Sequence, residues 1–218
     1  SMTATLRKCL AIDGIKTVSI ATGYWDIPGL AILQENLRSF IEKDGTTLRL
    51  LIGKDPYIYA NQLKSPKYKD ANYPLDFIKT DIHELNVTEE YKDAIRLLLD
   101  YCTENNDSKI QIRVFRKNEN DETQFLHSKC YIFDGKSNGI GIGIVGSTNF
   151  TQKGLQGNAE LNYIETAPNQ VLSLDKIPGN KSHLIWFNEK WEISEPWNKQ
   201  FLEQILKSAP ITDDVEKE

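Results

Sequence analysis

A histidine and a lysine one residue apart, His127 and Lys129, lie in the run Phe125-Leu126-His127-Ser128-Lys129-Cys130-Tyr131-Ile132-Phe133-Asp134. On a strand, alternate side chains project from one face, so the pair stands about 6–7 Å apart along the chain. A nitrogen able to act as nucleophile or acid then sits beside a fixed positive charge, an arrangement suited to a phosphate. Gly146-Ser147-x-Asn149 and Asn158-Ala159-Glu160 follow, and each has a role in the same reading. Lys129 holds a non-bridging oxygen, and Ser147 and Asn149 donate hydrogen bonds to the same group. Glu160 accepts the other ring N–H of His127, fixing its tautomer and raising its basicity. Asp134 has the opposite parity to His127 and is expected to be structural, at the strand end. Neither His83 nor His183 has a lysine two residues on, so the chain carries one such unit.

The elements that must position these residues read as an α/β order. Leu6 to Ile12 is a short helix, and Lys16 to Tyr24 alternates as a strand. Pro28 opens a helix to about Glu42, with Leu30, Leu33, Leu37 and Ile41 at helical spacing. Leu48 to Gly53 is a buried strand. Helices are expected over 75–85 and 88–102, with a turn at Asn105-Asn106-Asp107, a strand over 109–115 and a polar loop over 117–121. The histidine-bearing strand comes next. Gly139-Ile140-Gly141-Ile142-Gly143-Ile144-Val145 reads as a strand with isoleucines on one face and bare glycines on the other, against which another backbone or a ligand packs. A strand over 159–165 follows. Two helices within 182–208, broken near Glu195-Pro196, carry Trp186, Phe187, Trp191, Trp197, Phe201 and Ile205, read as core or interface packing. The expected fold class is α/β: a mixed central sheet flanked by helices on both faces.

With 218 residues, 39% hydrophobic and 26% charged, and a negative mean hydropathy, the chain reads as one globular domain over 3–210. Ser1-Met2 reads as a cloning scar and 211–218 as a charged, fraying tail. No apolar run approaches a membrane span and no leader is visible, so a cytoplasmic protein without a membrane partner is expected. Cys9, Cys102 and Cys130 fit neither a disulfide framework nor a zinc spacing, and Cys130 is expected in the core.

The net charge of −5 weighs against a protein wrapped in nucleic acid, although charge can be local. The stretch 54–73 interleaves Lys54, Lys64, Lys67 and Lys69 with Tyr57, Tyr59, Tyr68 and Tyr73. Two readings stand: a loop in which Lys64, Lys67, Lys69 and Tyr68 track and stack a nucleic acid, or a solvated loop with tyrosines packed beneath. Gly141-x-Gly143-x-x-Gly146 with Glu165 downstream mimics a dinucleotide fingerprint. That motif needs an apolar helix at the glycines, and 147–158 has little helical periodicity. Gly135-Lys136-Ser137 lacks the upstream glycine of a P-loop, so no ATPase motor is read here.

His127-x-Lys129-x4-Asp134, Gly146-Ser147-x-Asn149 and Glu160 together resemble the phospholipase D superfamily, especially its single-motif nuclease branch. The gap from Asp134 to Gly146 is longer than usual there, and the excess near 136–139 reads as a hairpin turn. Ala21-Thr22-Gly23-Tyr24, Leu50-Leu51-Ile52-Gly53-Lys54, residues 154–162, and Trp186-Phe187 followed by Trp191 are similar to a domain attached to bacterial helicases of the Swi/Snf class.

The resemblance implies a hydrolase that cleaves a phosphodiester without metal or other cofactor, in two steps. One histidine attacks phosphorus and forms a phosphohistidine. A second protonates the leaving oxygen and then activates water. The chain supplies one histidine of this kind, so the consistent solution is a two-fold homodimer with two His127 rings around one phosphate. One ring is neutral and the other protonated, so a bell-shaped pH dependence is expected. The bare glycine face is expected near that axis. The leading expectation is a nuclease acting on DNA, with RNA left open as a partner, in the same full-length protein as a helicase ATPase. Two rivals are a helicase accessory module that binds nucleic acid with little or no turnover, and a lipid phosphodiesterase or phosphatidyl transferase.

Overall fold

The runs Thr17–Thr22 (β1), Thr47–Ile52 (β2) and Ile110–Val114 (β3) pair in parallel, β1 with β2 and β2 with β3. Parallel neighbours need crossovers, and among the described residues α2 (Ile27–Ile41) and α3 (Glu89–Tyr101) lie between them in sequence. The amino terminus of α2 is set by Asp26, whose Oδ1 accepts from the Gly29 amide at 2.6 Å, and by Pro28 in the first turn. Ahead of β1 lies α1 (Met2–Ala11). The computed structural model describes residues 1–53, 89–104, 107–115, 126–173 and 181–207. The expected helix over 75–85, the turn residues Asn105 and Asn106, the loop 117–121, the tail 211–218 and the 54–73 stretch, with Lys64, Lys67, Tyr68 and Lys69, lie outside the described residues.

The remaining strands run antiparallel to their neighbours. Cys130–Asp134 (β4) pairs with β1, Gly141–Gly146 (β5) with β4, and Asn162–Glu165 (β6) with β5. The short Glu195–Pro196 (β7) borders β3, which gives a seven-stranded sheet in the order β6-β5-β4-β1-β2-β3-β7. Alternation sorts the core to two faces. Val18, Ile20, Leu50, Ile112, Tyr131 and Phe133 pack with α1, α2, α3 and α6 (Asn198–Lys207). Ala21, Leu51, Cys130 and Ile132 pack with Val171 of α4 (Pro168–Val171) and with Phe187 and Trp191 of α5 (His183–Glu192). Helices therefore cover both faces of a mixed sheet, the expected fold class.

Two half-buried cations fasten α5 to the sheet. The Arg49 guanidinium lies 4.8 Å from the Phe187 ring centre and 5.5 Å from that of Trp191, and Arg113 lies 4.9 Å from Trp191. Such contacts each contribute about 0.5–2 kcal/mol. Arg49 also donates to Ser19 at 3.0 Å and Asn188 at 2.9 Å. Burial pushes its pKa down to about 10, with Asp134 and Glu192 opposing the shift, and the side chain stays cationic at neutral pH.

Three expectations are corrected. The histidine-bearing strand starts at Cys130, not Phe125, because residues 126–129 cross the end of the parallel strands. A Cβ on Gly53 would meet the Leu126 carbonyl oxygen at 2.2 Å, so chain passes directly over that position. The strand expected over 159–165 is confined to Asn162–Glu165. The third correction concerns the glycine strand. Gly139 is a left-handed turn residue at φ 73°, after a 3-10 turn over Lys136–Asn138, and β5 begins at Gly141. A Cβ on Gly141 would strike Leu172 at 2.7 Å, and one on Gly143 would strike the His183 ring at 2.0 Å. At Gly141 and Gly143 the bare face is thus filled by side chains of the same chain, where another backbone or a ligand was expected.

Candidate active site

One edge of the sheet collects every residue singled out for phosphate chemistry except Asp134. The antiparallel pairing brings the amino ends of β4 and β6 and the carboxyl end of β5 beside the carboxyl ends of the parallel strands. Ligands of open α/β sheets bind outside such carboxyl ends.

His127 is exposed there, just ahead of β4. A Cβ placed on Gly23, after β1, would lie 3.7 Å from the His127 Cα, 3.6 Å from Asn149 Oδ1 and 3.4 Å from the Leu126 carbonyl oxygen. His127 and Asn149 therefore flank one point at the end of β1. The Asn149 side-chain oxygen accepts from the Tyr24 amide at 3.2 Å and the Thr22 hydroxyl at 3.4 Å, and the Phe150 amide donates to Thr22 Oγ1 at 3.0 Å. With its oxygen committed to β1, Asn149 has its NH2 to offer an anion.

Lys129 is 6% exposed, and its ammonium donates to the His127 main-chain oxygen at 2.8 Å. The side chain thus folds back along the segment that carries His127. The Lys129 carbonyl receives the Gly146 amide at 3.2 Å, joining this segment to the end of β5. The next residue, Ser147, donates its hydroxyl to Glu160 and accepts from the Leu161 amide at 3.1 Å. Glu160 also accepts from Asn158 Nδ2 at 3.1 Å. The hydrogen bonds that Glu160 takes are thus from Ser147 and Asn158, where the sequence suggested the His127 ring. Gly146 is closely packed, since a Cβ there would meet the Leu161 carbonyl oxygen at 2.2 Å.

Asp134 lies at the far end of β4, away from the other members. Its Oδ1 receives the amide of Lys136, a non-glycine residue at φ 57°, at 2.6 Å. Its carbonyl receives the Lys16 amide at 2.8 Å. The structure therefore divides the motif, with His127, Lys129, Ser147, Asn149 and Glu160 at one edge and Asp134 at the other. Beneath the site, Tyr131 donates to the Thr148 carbonyl at 2.9 Å, and burial raises its pKa well above the ordinary phenol value. The Cys130 thiol is pushed up to about 12 by burial, so it is not a thiolate nucleophile at neutral pH. Among the described residues no group of three or more His, Cys, Asp or Glu could hold a metal ion.

Sequence reading assigned no site role to Thr22, yet its hydroxyl organises the Asn149 loop; the signals available were its place before a glycine at a strand end and within the Ala21-Thr22-Gly23-Tyr24 segment similar to helicase-linked domains. The glycines of 141–146 do not open a dinucleotide helix. They lead instead into an irregular turn and a single π-helical turn over Lys153–Gly157.

A family described as cardiolipin synthase, PLD-like domain, matches residues 11–177. That span exceeds half of the chain and contains the whole edge cluster as well as Asp134. The chain belongs to the phospholipase D superfamily. Membership in this superfamily supports phosphodiesterase activity in general. No curated protein matches the chain.

Proposed function

We propose that this phospholipase D-like chain is a metal-independent nuclease domain that cleaves DNA through a phosphohistidine, with one active site shared across a homodimer. The observation that carries the reading is the convergence of His127, Lys129, Ser147, Asn149 and Glu160 at one sheet edge.

The chemistry rests on what these groups can do. A neutral His127 ring nitrogen attacks phosphorus, the N–P bond forms and the P–O bond to the leaving oxygen breaks. The imidazolium of His127 of the partner subunit gives its proton to that oxygen. In the second step the same ring takes a proton from water, whose oxygen attacks phosphorus as the N–P bond breaks. Acid–base catalysis of this kind supplies ~10²–10⁴-fold, and each positioned donor to the developing charge ~10²–10³-fold. The Lys129 ammonium and the Asn149 NH2 are placed for that role, and Ser147 joins once substrate draws its hydroxyl from Glu160.

A second copy supplies the missing imidazole, and the surface beside the site suits one. Leu161 is 84% exposed, Tyr163 64% and Ile164 46%, directly after Glu160 and along the end strand β6. Exposed apolar side chains on an end strand favour association. The resemblance to helicase-linked domains adds a motor in the same full-length protein as the partner that delivers DNA.

A second reading, an accessory module that binds nucleic acid with little or no turnover, is favoured by one observation. The Ser147 hydroxyl is already given to Glu160, and one N–H of the Lys129 ammonium to the His127 carbonyl. Incubation of single- and double-stranded DNA with the protein in EDTA separates the two. Cleavage that disappears in His127→Ala supports the nuclease. Binding without cleavage, unchanged in His127→Ala, supports the module. Turnover of phosphatidylcholine or phosphatidylglycerol with DNA left intact overturns both.

A further inference from the structure

The mechanism leaves one feature near the site unused. A cleft of about 350 Å³ opens on the α5 face of the sheet, lined by Ser128, Cys130, Val145, Lys181, His183 and Trp186. Its volume lies at the small end of the ~300–1,000 Å³ range of ligand pockets. Ser128 is the residue between His127 and Lys129, so the cleft reaches within one residue of the catalytic pair. Cys130 and Val145, opposite each other on β4 and β5, form an apolar floor.

The walls come from α5 and are held in place. Ser182 caps the helix by accepting the Ile185 amide at 3.2 Å. The His183 ring settles onto Gly143, where a side chain would collide with it. Its Nδ1 is buried without a hydrogen-bond partner. Arg49 and Arg113 hold Phe187 and Trp191 on the same helix. The rim cation, Lys181, is ion-paired with Glu189.

This chemistry selects its ligand. A neutralised rim and an apolar floor make a poor second phosphate site. A half-buried indole and an imidazole beside an apolar floor suit a flat, neutral aromatic ring, and the volume suits one ring system, not a pair of long acyl chains. We propose that the cleft receives the base of a nucleotide flanking the scissile phosphate, stacked against Trp186. This inference rests on the nuclease reading.

The test is a binding cycle on the full chain. The probes are a fluorescent thymidine oligonucleotide, with phosphorothioate linkages to slow cleavage, and copies carrying one abasic residue at successive positions. Stacking of one base predicts roughly 10-fold weaker binding in Trp186→Ala. A single abasic position should cost the wild-type chain about as much and cost Trp186→Ala nothing further. Trp186→Phe should recover most of the affinity. The abasic scan of the wild-type chain stands even if Trp186→Ala does not fold. No position-specific abasic loss, or abasic and Trp186→Ala losses that simply add, overturns the inference. If DNA is still cleaved in EDTA in that case, the nuclease reading survives. If the chain neither binds nor cleaves DNA but binds phosphatidylglycerol vesicles through Trp186, both fall and the cleft holds an acyl chain.

Discussion

At the amino end of β4, His127 is exposed and the Lys129 ammonium reaches back to its carbonyl. At the carboxyl end, Asp134 is 9% exposed and captures the amide of Lys136 in a left-handed turn. One linear motif thus serves two ends of a strand in different ways. The amino end presents groups to a ligand, at the edge where the parallel strands terminate. The carboxyl end ties a hairpin and has nothing to offer a substrate. Proximity in sequence identifies the motif, and position along the strand assigns the work.

The comparison breaks most visibly at His127. Replacement by alanine should lower DNA cleavage by ~10⁴-fold or more while leaving the melting transition in place, because the side chain is exposed. Residual activity near the wild-type level would remove the amino end from catalysis. Lys129→Met should cost ~10²–10³-fold in cleavage rate, and a change confined to stability would make Lys129 structural. Asp134→Ala should behave in the opposite way. Loss of the Lys136 bond costs about 1–2 kcal/mol by denaturant titration, with cleavage per folded molecule within a few-fold of wild type. A large catalytic loss at unchanged stability would erase the contrast.

The smallest effect concerns His183, which begins α5 and packs on Gly143 midway along β5. Burial against Gly143 lowers its pKa below the ordinary 6.5, and Glu165 only partly opposes this. Between 6.5 and the lower folded value, the unfolded chain holds more protons than the folded one. Stability is therefore full above that window and falls as the pH drops through it. Urea titrations at several pH values across the window should show this slope in the wild-type chain and a shallower one in His183→Gln. Equal slopes would contradict the buried, neutral ring.

Much of this was legible in the sequence. Alternation over 16–24, the apolar run over 48–53 and Pro28 at the start of α2 placed those elements to within a residue or two. The fold class came from their order. The residue types of the site were legible as well, since few other groups suit a phosphate. The contacts that escaped join distant parts of the chain. Nothing local shows that residues 126–129 cross the ends of β1 and β2, because their composition is that of a strand. Nothing local shows that His183, 40 residues on, fills the space over Gly143. The hydrogen bonds of Asn149 to Thr22 and Tyr24 span more than 120 positions. Each depends on tertiary packing, which periodicity does not encode.

The central claim is that two His127 rings, one from each of two chains, act on a single phosphate. Co-expression of wild-type and His127→Ala chains in equal amounts tests it directly. If each site needs both rings, random pairing leaves about one quarter of the wild-type cleavage per chain. A value of about one half, with each wild-type chain working alone, would contradict the shared site.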